Sequence, residues 1–280
     1  MYGFLLTTFN DAEETIKAFN SLKTTIPPGT SYKVCIVDGG SRPEQIDLLR
    51  QIGALAEDEN GSIKIRPNLS DALNTGINRL LGYYESNIDE FIKGAPSNVE
   101  HIIWIHADMR FYDQDWAGKL CWVYDRLYPL FGRLAPGTRN IDGSHPGQPL
   151  RGGNSCPWVY GCEAIRKLLQ KYGSVYSPEY INIGGREDWD NGKRLVECGY
   201  GFGICSLMDV QHEGMGTRKL RDTNADAIHN ANVYHSHWNT WNEPGFEMDL
   251  TDIGNELKVE FENQYKQVWY KPSEELIAHE

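Results

Sequence analysis

Three short segments of this sequence combine residue types that can do chemistry. The first is Asp38, which follows Val34-Cys35-Ile36-Val37 and precedes Gly39-Gly40-Ser41. A carboxylate at the end of a strand can accept a hydrogen bond from a ribose hydroxyl or a base N–H. The two glycines let a ligand approach the backbone. An Asp at such a position also caps turns, which is its ordinary structural role. The second segment is His106-Ala107-Asp108. Two ligands two residues apart on extended backbone point the same way, so both can face one divalent ion. His212, after Leu207-Met208-Asp209-Val210, offers a third ligand. A carboxylate with imidazole suits Mn(II), whereas Ca(II) prefers a carboxylate-rich cage. The third segment is Gly184-Gly185-Arg186-Glu187-Asp188-Trp189-Asp190. Carboxylates are stabilised at a helix start by the helix dipole. Adjacent carboxylates on a glycine-flexed loop can also present a general base to an acceptor hydroxyl. Arg194, one turn beyond Asp190, reads as its surface ion-pair partner.

These residues need elements that hold them. Phe4–Phe9, Tyr32–Val37 and His101–Ile105 are β-rich runs, and Ser62–Arg66 reads as a further strand. Between them, helices are expected over about 12–22, after an N-cap at Asn10-Asp11, over 42–56 with Pro43 in the first turn, and over 70–81 capped by Ser70. Strands separated by helices imply βαβ units and a mostly parallel α/β sheet, whose ligands bind at the carboxyl ends of the strands. Asp38 and Asp108 lie at two such ends. Farther on, helices are expected over 116–131, 163–172, 188–198 and 256–269. Residues 132–157, rich in Gly and Pro, read as a long loop over the site, and 214–232 as a polar, flexible stretch.

Composition narrows the classes. The 280 residues carry 27 Lys+Arg against 39 Asp+Glu, a formal charge of −12, with 40% hydrophobic residues. That acidity disfavours a broad grip on nucleic acid, which needs a basic face. No run approaches the ~18 apolar residues of a membrane span. The N-terminal residues lack a basic segment before their short apolar run, so a cytoplasmic location is expected. Six dispersed cysteines, without CxxC pairs, read as reduced structural thiols.

Taken in order, the motifs resemble the glycosyltransferases of the GT-A fold, family 2 in particular. The matching steps are Thr8-Phe9-Asn10, Asp38-Gly39-Gly40-Ser41, Asn74-Thr75-Gly76-Ile77, His106-Ala107-Asp108, Glu187-Asp188 with Arg194 and Gly199-Tyr200, and finally His212. The resemblance spans about residues 3–215. It implies a GT-A, Rossmann-like, mostly parallel sheet in one domain over 1–215, with a mobile loop and C-terminal helical extension over 216–280. It also implies transfer of a sugar from a nucleotide-sugar, most often a UDP-sugar, to a hydroxyl of a glycan, protein or other acceptor. Thr8, Phe9 and Asn10 would line the base pocket, Asp38 would hold uracil or ribose, and Asp71 would add a polar donor contact. Asp108, with His106 and His212, would bind the Mn(II) or Mg(II) that bridges the diphosphate. Asp188, beside Glu187, would deprotonate the acceptor for an inverting attack. Arg218 would neutralise phosphate charge from a loop after His212, and Trp158, Tyr160 and Trp189 would stack on sugar faces. One departure stands out: His106 occupies the place of the family's first metal-motif Asp.

Two rival classes remain. One is a relative that binds a sugar nucleotide without transfer, or passes the sugar to water; the retained Glu187-Asp188 pair argues against simple binding. The other is a nucleotidyltransferase, which typically opens with a Gly-rich basic loop after its first strand. Thr7-Thr8-Phe9-Asn10-Asp11 has no such loop.

Overall fold

The computed structural model describes residues 1–136, 139–140, 157–182, 185–205, 210–212, 224–241, 248–249 and 255–265. The first strand, β1 (Tyr2–Thr8), enters helix α1 (Ala12–Thr25), and β2 (Tyr32–Asp38) enters α2 (Pro43–Arg50). Next come α3 (Leu69–Leu81), the short α4 (Ile88–Ile92), β3 (His101–His106) and β4 (Met109–Phe111). Helix α5 (Trp116–Leu127) leads into β5 (Phe131–Pro136), β6 (Arg139–Asn140) and β7 (Trp158–Gly161). The chain continues through α6 (Cys162–Tyr172), α7 (Glu187–Glu197), β8 (Gly201–Cys205), β9 (Val210–His212), α8 (Asn224–Trp238), β10 (Met248–Asp249) and α9 (Asn255–Tyr265).

Among the described residues, seven strands form one sheet in the order β10-β8-β5-β7-β3-β1-β2, and β4-β9-β6 form a small second sheet. Among the described residues of the large sheet only β7 runs antiparallel to its neighbours β3 and β5; the other pairs are parallel. Parallel strands need crossovers, and helices supply them between β1, β2 and β3. Phe4, Leu5 and Leu6 are all fully buried, as expected for a strand covered on both faces. Phe4 meets Trp116 of α5 at 5.9 Å, while Leu5 lies under Gly76 of α3, so successive residues face opposite layers of helix. No helix among the described residues is long and apolar enough to cross a membrane.

Several sequence expectations change. Ser62–Arg66 forms no strand; it contributes only single bridges, Ile65 to Asp38 and Ile63 to Glu57. Helix α2 stops at Arg50 rather than near 56, and Gly53 takes a left-handed φ of 70° just beyond it. Asn68, not Ser70, stands at the N-cap of α3, and Ser70 is buried in its first turn. Asp11 occupies the N-cap position of α1 but makes no side-chain cap bond. Helix α5 ends at Leu127, since Pro129 follows and pushes Tyr128 into extended backbone. Part of the expected 132–157 loop is strand β5, inside the sheet between β8 and β7. Gly132 signals close packing there, because a Cβ would meet Leu195 of α7 at 2.7 Å. Residues 224–232, expected to be flexible, belong to α8.

Candidate active site

The register of the large sheet aligns the candidate strand ends. Thr8 pairs with Asp38, and Thr7 pairs with His106. The loops that follow β1 and β2 are then tied together. Asn10, at φ 51°, donates its N–H to Ser41 Oγ at 2.7 Å and accepts the Arg42 N–H on Oδ1 at 2.8 Å. Asp38 is fully buried within this knot. Its carboxylate accepts the N–H groups of Gly40 and Ser41, each at 2.9 Å, and the Ser41 hydroxyl at 2.5 Å. Asp38 therefore shapes its own turn, the structural role its position also allowed. Gly40 is required at φ 97°, and a Cβ on Gly39 would press on the Thr8 carbonyl at 3.1 Å. Thr8 is also buried, with its hydroxyl bonded to Thr15 of α1 at 2.8 Å, whereas Phe9 is half-buried.

Beyond β3, His106 and Asp108 are both half-buried, and the His106 ring sits edge-on to Trp104 at 4.8 Å. The antiparallel pairing of β4 with β9 sets Met109 opposite His212. The residue after Asp108 and His212 are thus neighbours across two strands 103 positions apart in the chain (212 − 109). Asn140 of β6 pairs with His212 on its other side. Asp11 joins this corner of the molecule. Burial, then the nearby Glu14 and Asp108 carboxylates, push its carboxyl up to about 6. Glu14 in turn pairs with Arg110 of β4. The sequence marked Asp11 as a cap only; no local pattern reveals its proximity to Asp108.

The carboxylate pair opens α7. Gly185 and Arg186 are both left-handed, at φ 81° and 78°, and the chain then enters the helix at Glu187. Glu187 and Asp188 are buried. Asp188 Oδ1 accepts the N–H of Trp189 at 3.0 Å, and its carbonyl accepts Arg133 Nη1 at 3.0 Å. Arg133, fully buried on β5, also donates to Asn191 Oδ1 at 2.8 Å and lies over the Trp158 ring at 3.8 Å. Asp71, in the first turn of α3, accepts from Asn68 Nδ2 at 3.3 Å. Asn68 Oδ1 accepts the Asn182 N–H at 3.2 Å, which links the start of α3 to the loop before α7.

Asp190 and Arg194 form the ion pair expected from their spacing, at 2.5 Å, but it is buried rather than on the surface. Asp190 Oδ1 faces Trp238 Nε1 at 2.9 Å and His237 Nδ1 at 3.1 Å, both from α8. These long-range partners made the burial of Asp190 illegible locally. Trp158 and Tyr160 are likewise in the core: Tyr160 bonds to Tyr176 and Asn191 through its hydroxyl. They do not face an open sugar surface. Trp189 is half-buried, with Arg186 over its ring at 3.5 Å and Tyr234 edge-on at 5.7 Å. Arg218 lies outside the described residues.

Asn74 and Gly76, the matching Asn-x-Gly step of α3, both have packing roles. Asn74 accepts from the N–H groups of Val175 and Tyr176 and donates to the Tyr176 carbonyl. Gly76 lets α3 sit against Leu5 and Val37.

No protein-family profile matches the chain, and neither does any curated protein. Among solved structures, the mannosyltransferase PcManGT from Pyrobaculum calidifontis is similar with a TM-score of 0.53 at 12% identity, over 87% of this chain and 65% of that one. S. aureus TarS 1–349 is similar with a TM-score of 0.50 at 13% identity, over 94% of this chain and 76% of that one. The fold is that of the GT-A glycosyltransferases. At such identities the likeness concerns the GT-A backbone and carries no residue roles.

A metal ion in this GT-A frame would be held at the β3–β4 corner. Asp108, which directly precedes the Met109 that pairs with His212 across β4 and β9, would supply a carboxylate there. A carboxylate suits Mn(II) or Mg(II), which complete their shell with water and phosphate oxygens. Among the described residues no cluster of three ligating side chains is present.

Proposed function

We propose that this chain is a glycosyltransferase that moves a sugar from a nucleotide-sugar, with a UDP-sugar as first choice, to a hydroxyl acceptor. The observation that carries this reading is the convergence, in a GT-A sheet, of the β1, β2 and β3 ends with the β4–β9 pair, which brings His106, Asp108 and His212 to one edge. PcManGT, of the same fold, is a mannosyltransferase seen with GDP-Man and Mn2+. A divalent ion at Asp108 would supply Lewis-acid stabilisation to the leaving diphosphate.

The chain's own residues take the remaining roles. The Asn10–Ser41–Asp38 knot fixes the two loops that flank the nucleotide, so Asp38 acts by shaping the pocket wall. Half-buried Phe9 covers the base. Asp188 accepts the acceptor hydroxyl proton as that oxygen attacks the anomeric carbon and the glycosyl–phosphate bond breaks, with inversion. The bond from Trp189 N–H to its Oδ1 fixes the carboxylate plane, and Arg133 anchors its backbone. Trp189 offers the half-buried ring for a sugar face, and Asp71, bonded to Asn68 in the first turn of α3, adds a polar donor contact.

The test is thermal stabilisation by a panel of UDP- and GDP-sugars with and without Mn(II). A ligand that binds only the native state at 100 times its Kd adds about 2.7 kcal/mol. The expected result is Mn(II)-dependent stabilisation by one nucleotide class, abolished by Asp108→Ala. No stabilisation by any nucleotide sugar would overturn the reading.

A further inference from the structure

Asn230 lies in the middle of α8, is fully buried, and directs its whole side-chain amide at the loop before α7. Its Oδ1 accepts the Ile181 N–H at 2.9 Å. Its Nδ2 donates to the Ile181 carbonyl at 3.1 Å and to the Gly185 carbonyl at 3.0 Å. One side chain thus grips residues 181 and 185 of the segment that delivers Glu187 and Asp188.

That segment needs holding. Arg186, at φ 78°, adopts a conformation that a non-glycine residue keeps only when its surroundings enforce it. Helix α8 also reaches the loop at Asn182 and the first turn of α7 at Asp190. Asn182 Nδ2 donates to Asp226 Oδ1 at 3.0 Å near the start of α8, and Trp238 Nε1 donates to Asp190 Oδ1 at its end. Among its described residues, α8 buries only Asn230 and Tyr234. Its docking is therefore carried by directional polar contacts more than by apolar area, and such contacts specify position.

We infer that Asn230 is a positioning residue for Asp188, and that α8 is the strut that sets the carboxylate pair at the mouth of α7. This rests on the reading of Asp188 as the base. It assigns the C-terminal part of the chain a role in the site itself.

The experiment uses the full chain carrying Asn230→Asp. This variant keeps the acceptor for Ile181 N–H but turns a carboxylate toward two carbonyl oxygens. Amide hydrogen exchange over 181–189 should rise by about tenfold or more, with β1 to β3 unchanged. With the nucleotide-sugar that turns over, kcat should fall about tenfold or more, while UDP affinity measured with Mn(II) changes less than about twofold. Combined with Asp188→Asn, Asn230→Asp should cost nothing further, because both act through one group. Asp226→Ala, at a half-buried position, provides a milder second variant: exchange should rise about threefold, again only over 181–189. Unchanged exchange over 181–189, exchange raised throughout the chain, or a rate loss that multiplies with that of Asp188→Asn would overturn the inference. Full activity of Asp188→Asn removes the base reading alone; the exchange pattern decides the Asn230 clamp in either case.

Discussion

Gly76→Ala isolates the packing that places α3, and with it Asn74 and Asp71, against the sheet. A Cβ on Gly76 would lie well inside 3.0 Å of Leu5 Cδ1 and at 3.1 Å from Val37 Cγ2. Leu5 and Val37 are both fully buried, so neither has open space into which to turn. Two effects oppose each other. Replacing a mid-helix glycine by alanine favours the helix by about 1 kcal/mol. Overpacking a close-packed core costs about 1–3 kcal/mol, and this overlap belongs at the upper end because two side chains are pressed together. The net expectation is a loss of about 1–2 kcal/mol. At about 2–4 °C per kcal/mol for a large domain, Tm should fall by about 2–8 °C in calorimetry. The double-mutant cycle supplies the decisive readout. Leu5→Ala alone should cost about 2–5 kcal/mol through its cavity, and in that background Gly76→Ala should be neutral or stabilising. A Gly76→Ala variant that melts above the wild type would refute the reasoning, since helix propensity would then outweigh contact with Leu5.

Two other perturbations test separate joints of the site. Asn74→Ala leaves the N–H groups of Val175 and Tyr176 and the Tyr176 carbonyl without their side-chain partner, and should cost about 2–3 kcal/mol in denaturant unfolding. His237 is held between Asp190 and Glu179, with Arg194 paired to Asp190 and the Tyr180 ring edge-on; its hydrogen bond to Asp190 raises its affinity for a proton above the usual value of 6.5. A raised folded-state pKa stabilises the protein below 6.5, and that contribution is lost as pH rises through the folded value. Tm measured from pH 6 to 9 should fall more steeply in the wild type than in His237→Gln; parallel curves would contradict this.

The strand ends were legible because β1, β2 and β3 are short apolar runs, each closed by a polar or turn residue. Their side-chain assignments were less so. Asp38 sits where a ligand-binding Asp would sit, yet the Gly-Gly-Ser turn it precedes supplies three donors to its carboxylate. Strand β5 was hidden by Gly132, Arg133 and Pro136, which read as loop residues. In place, the glycine admits Leu195 and Tyr200, and the arginine is stacked on Trp158. The role of α8 was illegible for another reason. Its contacts join Asn230 to Ile181 and Trp238 to Asp190 across nearly fifty residues, and no periodicity carries that information. Local chemistry thus announced the carboxylates, while distant polar side chains determine how they are held.

The most direct measurement is release of the nucleoside diphosphate from UDP- and GDP-sugars with Mn(II) and a panel of hydroxyl acceptors, comparing wild type with Asp188→Asn. A general base contributes about 10²–10⁴-fold. The account predicts acceptor-dependent release by the wild type, slowed about 100-fold or more in Asp188→Asn with unchanged nucleotide affinity. Equal rates in the two proteins, or no release from any donor, would contradict it.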